Sequence, residues 1–147
     1  MSNVLSRHRS LSDLEFWKNA TEIRADFTRY LMNEKKVPKR YKFVFTYPGI
    51  EYARRLMEEI TAANTIYPTT EAELAQRRTH QTAAIIECEK INQHIAWMVE
   101  TLELSVNDFE IFCAKLYKEI ALLKGWRKDS KVLTQRQKNH GATPKRD

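Results

Sequence analysis

A chain of 147 residues with only 3 glycines and 4 prolines has too few turn-formers for an all-β fold, and its length suits one domain with a real core. Hydrophobic residues make up 42% and charged residues 30%, the balance of an ordinary soluble helical protein. The formal net charge of +6 favours polyanions as partners: RNA, DNA or an acidic protein face.

Residues 1–11 are polar and basic and form a flexible N-terminal arm. With no apolar run in this stretch, no secretory leader is expected. "SDLE" then forms a capping box between Ser12 and Glu15. The helix it opens carries Phe16, Ala20, Ile23, Phe27 and Tyr30 or Leu31 on one stripe, flanked by Trp17, and fades near Lys35 and Lys36.

"VPKRYKFVFTYPG", residues 37–49, is the oddest stretch. It sets Lys39, Arg40, Tyr41, Lys42 and Phe43 between two prolines. Pro38 fits a first helical turn, and Pro48 would kink a helix because it lacks an N–H. The alternative is a short extended run with the helix starting at Pro48. Alternation is poor and no partner strand exists, so a kinked helix is expected. Tyr41 and at least one of Phe43 and Phe45 are expected inside, with the three bases outward. Beyond the corner, Ile50, Ala53, Leu56, Met57, Ile60 and Ala63 continue the second helix.

"YPTTEAE" breaks the chain at Tyr67, and Thr70 with Glu73 makes a second capping box. The third helix runs to about Leu104, with Ile85, Cys88, Asn92, Ile95, Val99 and Leu102 as a heptad-like seam. Asn92 reads as a register-setting buried amide. "LSVND" offers a third box, Ser105 to Asp108. The fourth helix buries Phe109, Phe112, Leu116, Ile120 and Leu123, with Cys113 and Tyr117 beside them, and Gly125 should weaken or end it. The two cysteines lack CxxC spacing and read as small core residues in a reducing cytoplasm. The fold expected over residues 12–130 is all-α, an antiparallel up-down-up-down four-helix bundle. Residues 131–147 form a basic disordered tail. No window approaches the roughly 18 apolar residues of a membrane span.

Catalytic patterns are missing. There is no HExxH, GxSxG, glycine-rich phosphate loop or Glu-x-x-His pair. His8 and His140 fall in the tails. His80 and His94 share a helical face but stand about 21 Å apart along the axis, so they cannot share a metal within one subunit. A bundle enzyme with a metal between subunits at either histidine is the weakest of the readings. Glu58, Glu59, Glu87 and Glu89 read as solvated faces. The expectation is a non-enzyme without cofactor or metal.

The bases come in clumps. Lys39, Arg40 and Lys42 surround the first corner, Arg54 and Arg55 lie on the second helix, Arg77 and Arg78 open the third, and Arg127 and Lys128 close the fourth, after Lys124. Such clusters on a rigid scaffold neutralise phosphates and give salt-dependent binding with little sequence preference. Tyr41, Phe43 or Trp126 could stack on unpaired bases, although an aromatic at helical spacing is more often core. Positive charge near a helix start is mildly unfavourable, which makes a role for Arg77 and Arg78 worth testing.

Several pieces occur in one order: Trp17, the corner Pro38-Lys39-Arg40-Tyr41-Lys42-Phe43, Ala63-Asn64, Glu119-Ile120 and Gly125-Trp126-Arg127-Lys128. In this the chain resembles, over residues 12–130, the accessory variability determinant proteins of diversity-generating retroelements. That four-helix-bundle family also contains the proteins encoded in bacterial ribosomal RNA intervening sequences. The Gly-Trp followed by a base, and the Ala-Asn ending of the second helix, favour the retroelement branch. The resemblance implies a barrel-shaped homopentamer with a basic surface. It implies binding to a reverse transcriptase and its structured template RNA, in support of mutagenic cDNA synthesis, with no catalytic centre. DNA or an RNA/DNA hybrid are alternative nucleic-acid partners. The rival reading is an intervening-sequence-type scaffold that assembles through apolar patches without nucleic acid.

Overall fold

The computed structural model describes residues 14–133. Ser12 of the first expected capping box, residues 1–11 and most of the basic tail lie outside the described residues. Four α-helices make up most of the described residues: α1 Glu15–Leu31, α2 Tyr47–Thr65, α3 Glu71–Leu102 and α4 Glu110–Asp129. No strand occurs among the described residues. The fold is all-α. α1 packs on α2 and α4, and α3 packs on α2 and α4, so all four share one core.

α1 buries Phe16, Ala20, Ile23, Phe27 and Leu31, the expected stripe, with Tyr30 half-exposed at its side. Each large side chain taken fully from water contributes about 1.5–3 kcal/mol. α2 buries Ala53, Leu56, Met57, Ile60 and Ala63. Phe16 stacks on Trp126 with centroids 4.2 Å apart, and Tyr30 packs on Phe109 at 4.6 Å. Lys115 of α4 bridges Glu22 at 3.0 Å and Asp26 at 2.8 Å on α1.

After a non-helical link over residues 32–38, the corner is helical from Lys39 into α2, so the extended alternative for the run before Pro48 falls away. A 3-10 turn, Lys39–Tyr41, leads into a π turn, Lys42–Thr46, and then α2. The Tyr47 N–H donates to the Lys42 carbonyl, five residues back. Pro48 has no N–H to give, and its ring crowds the carbonyl four residues earlier. A wider turn just upstream relieves that crowding, the usual setting of a π-bulge.

α3 begins as its capping box predicts. Thr70 Oγ1 accepts from the Glu73 N–H at 3.1 Å, while Glu73 Oε1 accepts from the Thr69 N–H at 2.7 Å. Its 32 residues give a rod about 48 Å long. It ends at Leu102, with Glu103 in the left-handed region at φ 55°. The seam differs in detail from expectation. Ile85, Cys88 and Ile95 are buried, but Ile91 and Met98 fill the centre, whereas Asn92, Val99 and Leu102 are only half-buried. Being packed by α2 on one side and α4 on the other turns a wider face of α3 inward. That wider face also buries Gln81, Glu87 and His94. Glu87 is therefore not a solvated residue; it pairs with Lys90 at 3.3 Å.

The third box is half made. Ser105 Oγ accepts from the Asn107 N–H at 3.2 Å and opens a 3-10 turn, Val106–Phe109. Asp108 turns away to accept from Tyr30 Oη at 3.0 Å and Lys36 Nζ at 2.9 Å, tying this turn to the first corner. Gly125 does not end α4, which continues to Asp129. Stacking of Trp126 on Phe16 holds the last turns down and outweighs the glycine's weak helix propensity. Tyr117 is exposed, and Cys113 half-buried.

Candidate nucleic-acid interface

The nine basic residues separate into three groups. Arg77, Arg78 and Arg127 gather where α2 and α4 end and α3 begins. The Arg77 guanidinium donates to the Ile66 carbonyl at 3.2 Å, and Ile66 is the C-cap of α2. The Arg78 guanidinium donates to the Ser130 carbonyl at 2.8 Å, and Ser130 is the C-cap of α4. Two consecutive arginines of α3 thus cap the C-termini of its two neighbours. Helix C-termini carry partial negative charge and unsatisfied carbonyls, so this satisfies both.

Arg77 also lies over the Trp126 ring, 5.3 Å from its centroid. Burial lowers its pKa from the ordinary value. Arg127 donates to Thr82 Oγ1 at 3.1 Å. Gln81 Nε2 donates to Ser130 Oγ at 2.9 Å, and the Leu133 N–H reaches the Pro68 carbonyl at 2.7 Å. Trp126 is covered on one face by Phe16 and approached by Arg77, so it is poorly placed to meet a base. Lys128 is exposed.

The second group, Arg54 and Arg55, faces outward from α2. Both reach Glu51, at 3.6 Å and 3.2 Å. Exposed pairs of this kind contribute little and open readily to a competing anion.

The third group lies at the first corner. Lys42 pairs with Glu34 at 3.0 Å, which lowers the Glu34 pKa and raises that of Lys42. Lys39 and Arg40 are exposed, and neither forms a salt bridge among the described residues. Arg40 leans over the Tyr41 ring at 5.1 Å. Tyr41 is half-buried against Phe45, and Phe45 is wholly buried. Phe43 is 83% exposed. Of the three aromatics proposed to stack, Phe43 alone is freely presented.

His94 anchors this corner from α3. Its Nε2 donates to the Phe45 carbonyl at 2.7 Å, which fixes the tautomer. Its ring meets Phe27, Phe45, Tyr52 and Trp97 edge-on. Burial lowers its pKa and keeps it neutral. The buried Thr46 Oγ1 donates to the Leu31 carbonyl at 3.1 Å, at the end of α1. Gly49 lets α2 approach closely: a Cβ there would stand 2.6 Å from Leu31 Cδ1.

Two apolar grooves open on the surface. One, of about 720 Å³, is lined by Phe43, Val44, Pro48, Tyr52, Ile86, Glu89, Lys90, Gln93, His94 and Trp97. The other, of about 640 Å³ between α3 and α4, contains Asn92, Ile95, Ala96, Val99, Val106 and Tyr117, and no base.

Asn19 and Glu119 are polar groups whose burial no sequence motif marks. Asn19 Nδ2 donates to Glu119 Oε1 at 3.0 Å and to the Lys115 carbonyl at 2.8 Å. Burial lifts the Glu119 carboxyl to about 8, so it holds a proton at neutral pH. Burial also raises the Cys88 thiol, and Glu119 adds to that rise, which leaves Cys88 an inert core residue. His80 lies 2.6 Å from Glu59. Among the described residues no three His, Cys, Asp or Glu side chains gather as a metal site, and no helix is long and apolar enough to cross a membrane.

These features define a class: an all-α four-helix protein with a basic, aromatic corner. No family model, curated protein or solved structure matches the chain.

Proposed function

We propose that the protein is a non-catalytic accessory subunit that binds template RNA and a reverse transcriptase and supports mutagenic cDNA synthesis in a diversity-generating retroelement. The bundle is antiparallel, up-down-up-down, and works as a ring-like homopentamer. Contacts of Phe16 with Trp126 and of Tyr30 with Phe109 support the antiparallel packing of α1 on α4. The order of motifs from Trp17 to Lys128 supports the family. The observation that carries the nucleic-acid role is the corner itself. There Lys39 and Arg40 stand exposed beside an outward Phe43, with no salt bridge among the described residues. Phosphates would meet Lys39, Arg40, Lys42, Arg54, Arg55 and Lys128 first. Arg77, Arg78 and Arg127 serve the fold and contribute background charge.

The test is binding of a structured RNA at about 0.15 M salt, the range where phosphate contacts remain measurable. Lys39→Glu with Arg40→Glu should weaken it at least about tenfold and flatten its salt dependence. Equal affinity of wild type and variant would remove the corner from the interface. The base-free α3–α4 groove favours a second reading, an assembling scaffold without nucleic acid. Absence of any RNA affinity together with a stable oligomer would support that reading.

A further inference from the structure

We infer that the groove beside the first corner is a stacking site for unpaired nucleotides, with Phe43 and Trp97 as its platforms and Tyr47 bracing Phe43 from outside the groove. The inference rests on the nucleic-acid reading above and specifies the form of ligand: single strand rather than duplex.

Three observations carry it. First, the rings are presented. Phe43 is 83% exposed, Tyr47 50% and Trp97 49%, an uncommon cost for a free surface. Second, they are held. Phe43 and Tyr47 stand edge to face at 5.3 Å, and the Trp97 ring is buttressed by the buried Phe45 at 4.7 Å and by His94 at 6.1 Å. The π turn is what divides the aromatics, setting Phe45 and Thr46 inward and Phe43, Val44 and Tyr47 outward. Third, cations border the rings. Lys90 lines the groove, within reach of Glu87, and Lys39 stands exposed four residues before Phe43, while Arg40 lines a separate groove beside Tyr41. Glu89 also lines it, which limits how many phosphates the groove itself can take.

The α3–α4 groove supplies the contrast. It is also apolar, yet it is lined mainly by aliphatic and small side chains with Glu110 as its charged member, a surface suited to another apolar chain. Aromatic faces beside cations suit bases, because every base has a π-face and stacking tolerates any sequence. A duplex keeps its bases paired and stacked and cannot use such platforms.

The experiment uses the full chain and a labelled oligo(U) of about 12 nucleotides, within the usual range of single-strand sites, beside a duplex of equal length. Phe43→Ala should weaken oligo(U) binding about tenfold at every salt concentration and leave the salt slope and duplex affinity unchanged. Phe43→Trp should restore it, which a mere change in folding would not do. Trp97→Phe should retain most of the affinity. Unchanged oligo(U) binding by Phe43→Ala, with RNA still bound, overturns the stacking site and spares the wider reading. No nucleic acid bound by the wild type overturns both. A drop in the sedimenting mass of the RNA-free protein on Phe43→Ala would assign the platform to contact between copies and also overturn the inference.

Discussion

At one end of the molecule Arg77 and Arg78 close the C-termini of α2 and α4, and Arg77 covers Trp126. At the other, Lys39 and Arg40 stand beside an outward Phe43 and form no salt bridge among the described residues. Arg77 and Trp97 mark the two levels on α3, about 30 Å apart along its axis. Both ends are basic and aromatic in sequence, and the interiors beneath them differ as well. Below the arginines lie the polar Asn19, Gln81 and Glu119; below the corner lie Phe27, Phe45 and His94. A clump of bases is therefore not evidence of an interface until the carbonyls within its reach are known.

The interiors offer the largest test of that contrast. Glu119 has its pKa raised from 4.5 to about 8, so the folded state holds a proton that the unfolded chain releases. Its contribution to stability is fully present below pH 4.5, falls as pH rises towards 8 and is level above that. His94 behaves oppositely. Its folded pKa lies below 6.5, so stability falls as pH drops below 6.5 and the unfolded chain takes the proton. Glu119→Gln should raise stability at pH 7 by up to about 3 kcal/mol and flatten the decline above pH 5. The acid-side decline should remain. Urea unfolding across the pH range reads both arms.

Next in size is removal of the caps. Arg77→Ala with Arg78→Ala should cost about 2–3 kcal/mol, from two charged hydrogen bonds and a ring contact, read as a lower unfolding midpoint. A smaller effect separates the two glycines. Gly49→Ala forces a methyl group against Leu31 and Phe27 in a filled core. It should lose about 1 kcal/mol even after the gain in helix propensity. A methyl group added at Gly125 would meet nothing within 4 Å, so Gly125→Ala should gain about 0.5–1 kcal/mol. Thermal unfolding of the pair gives opposite signs if the corner is tightly packed and the α4 end is open.

How much of this could be read in advance follows from what periodicity can express. Helix existence, the apolar stripe of α1, the Thr70–Glu73 box and the helical path through Pro48 rest on local spacing and local hydrogen bonds, and these were legible. The inward Glu119 was legible in principle, since it stands three residues after Leu116 and four before Leu123 on a buried row. Polarity hid it. The width of the α3 buried face was not legible, because it depends on two neighbours packing at once. The capping role of Arg77 and Arg78 was not legible either. It needs Ile66 and Ser130 brought together from 11 and 52 residues away. Phe43 and Phe45 lie two residues apart, and only the π turn decides which is inside.

The central claim is that the corner binds while the arginine end stabilises, and one paired measurement tests it most directly. Unfolding midpoint and structured-RNA affinity would be determined side by side for Lys39→Ala/Arg40→Ala and for Arg77→Ala/Arg78→Ala. Equal numbers of charges are removed, so net charge cannot explain a difference. The account predicts that the corner variant keeps its midpoint and loses affinity about tenfold, while the arginine variant loses its midpoint and, when folded, binds nearly as wild type. Equal losses of affinity in both, with the stability of Arg77→Ala/Arg78→Ala unchanged, would contradict it.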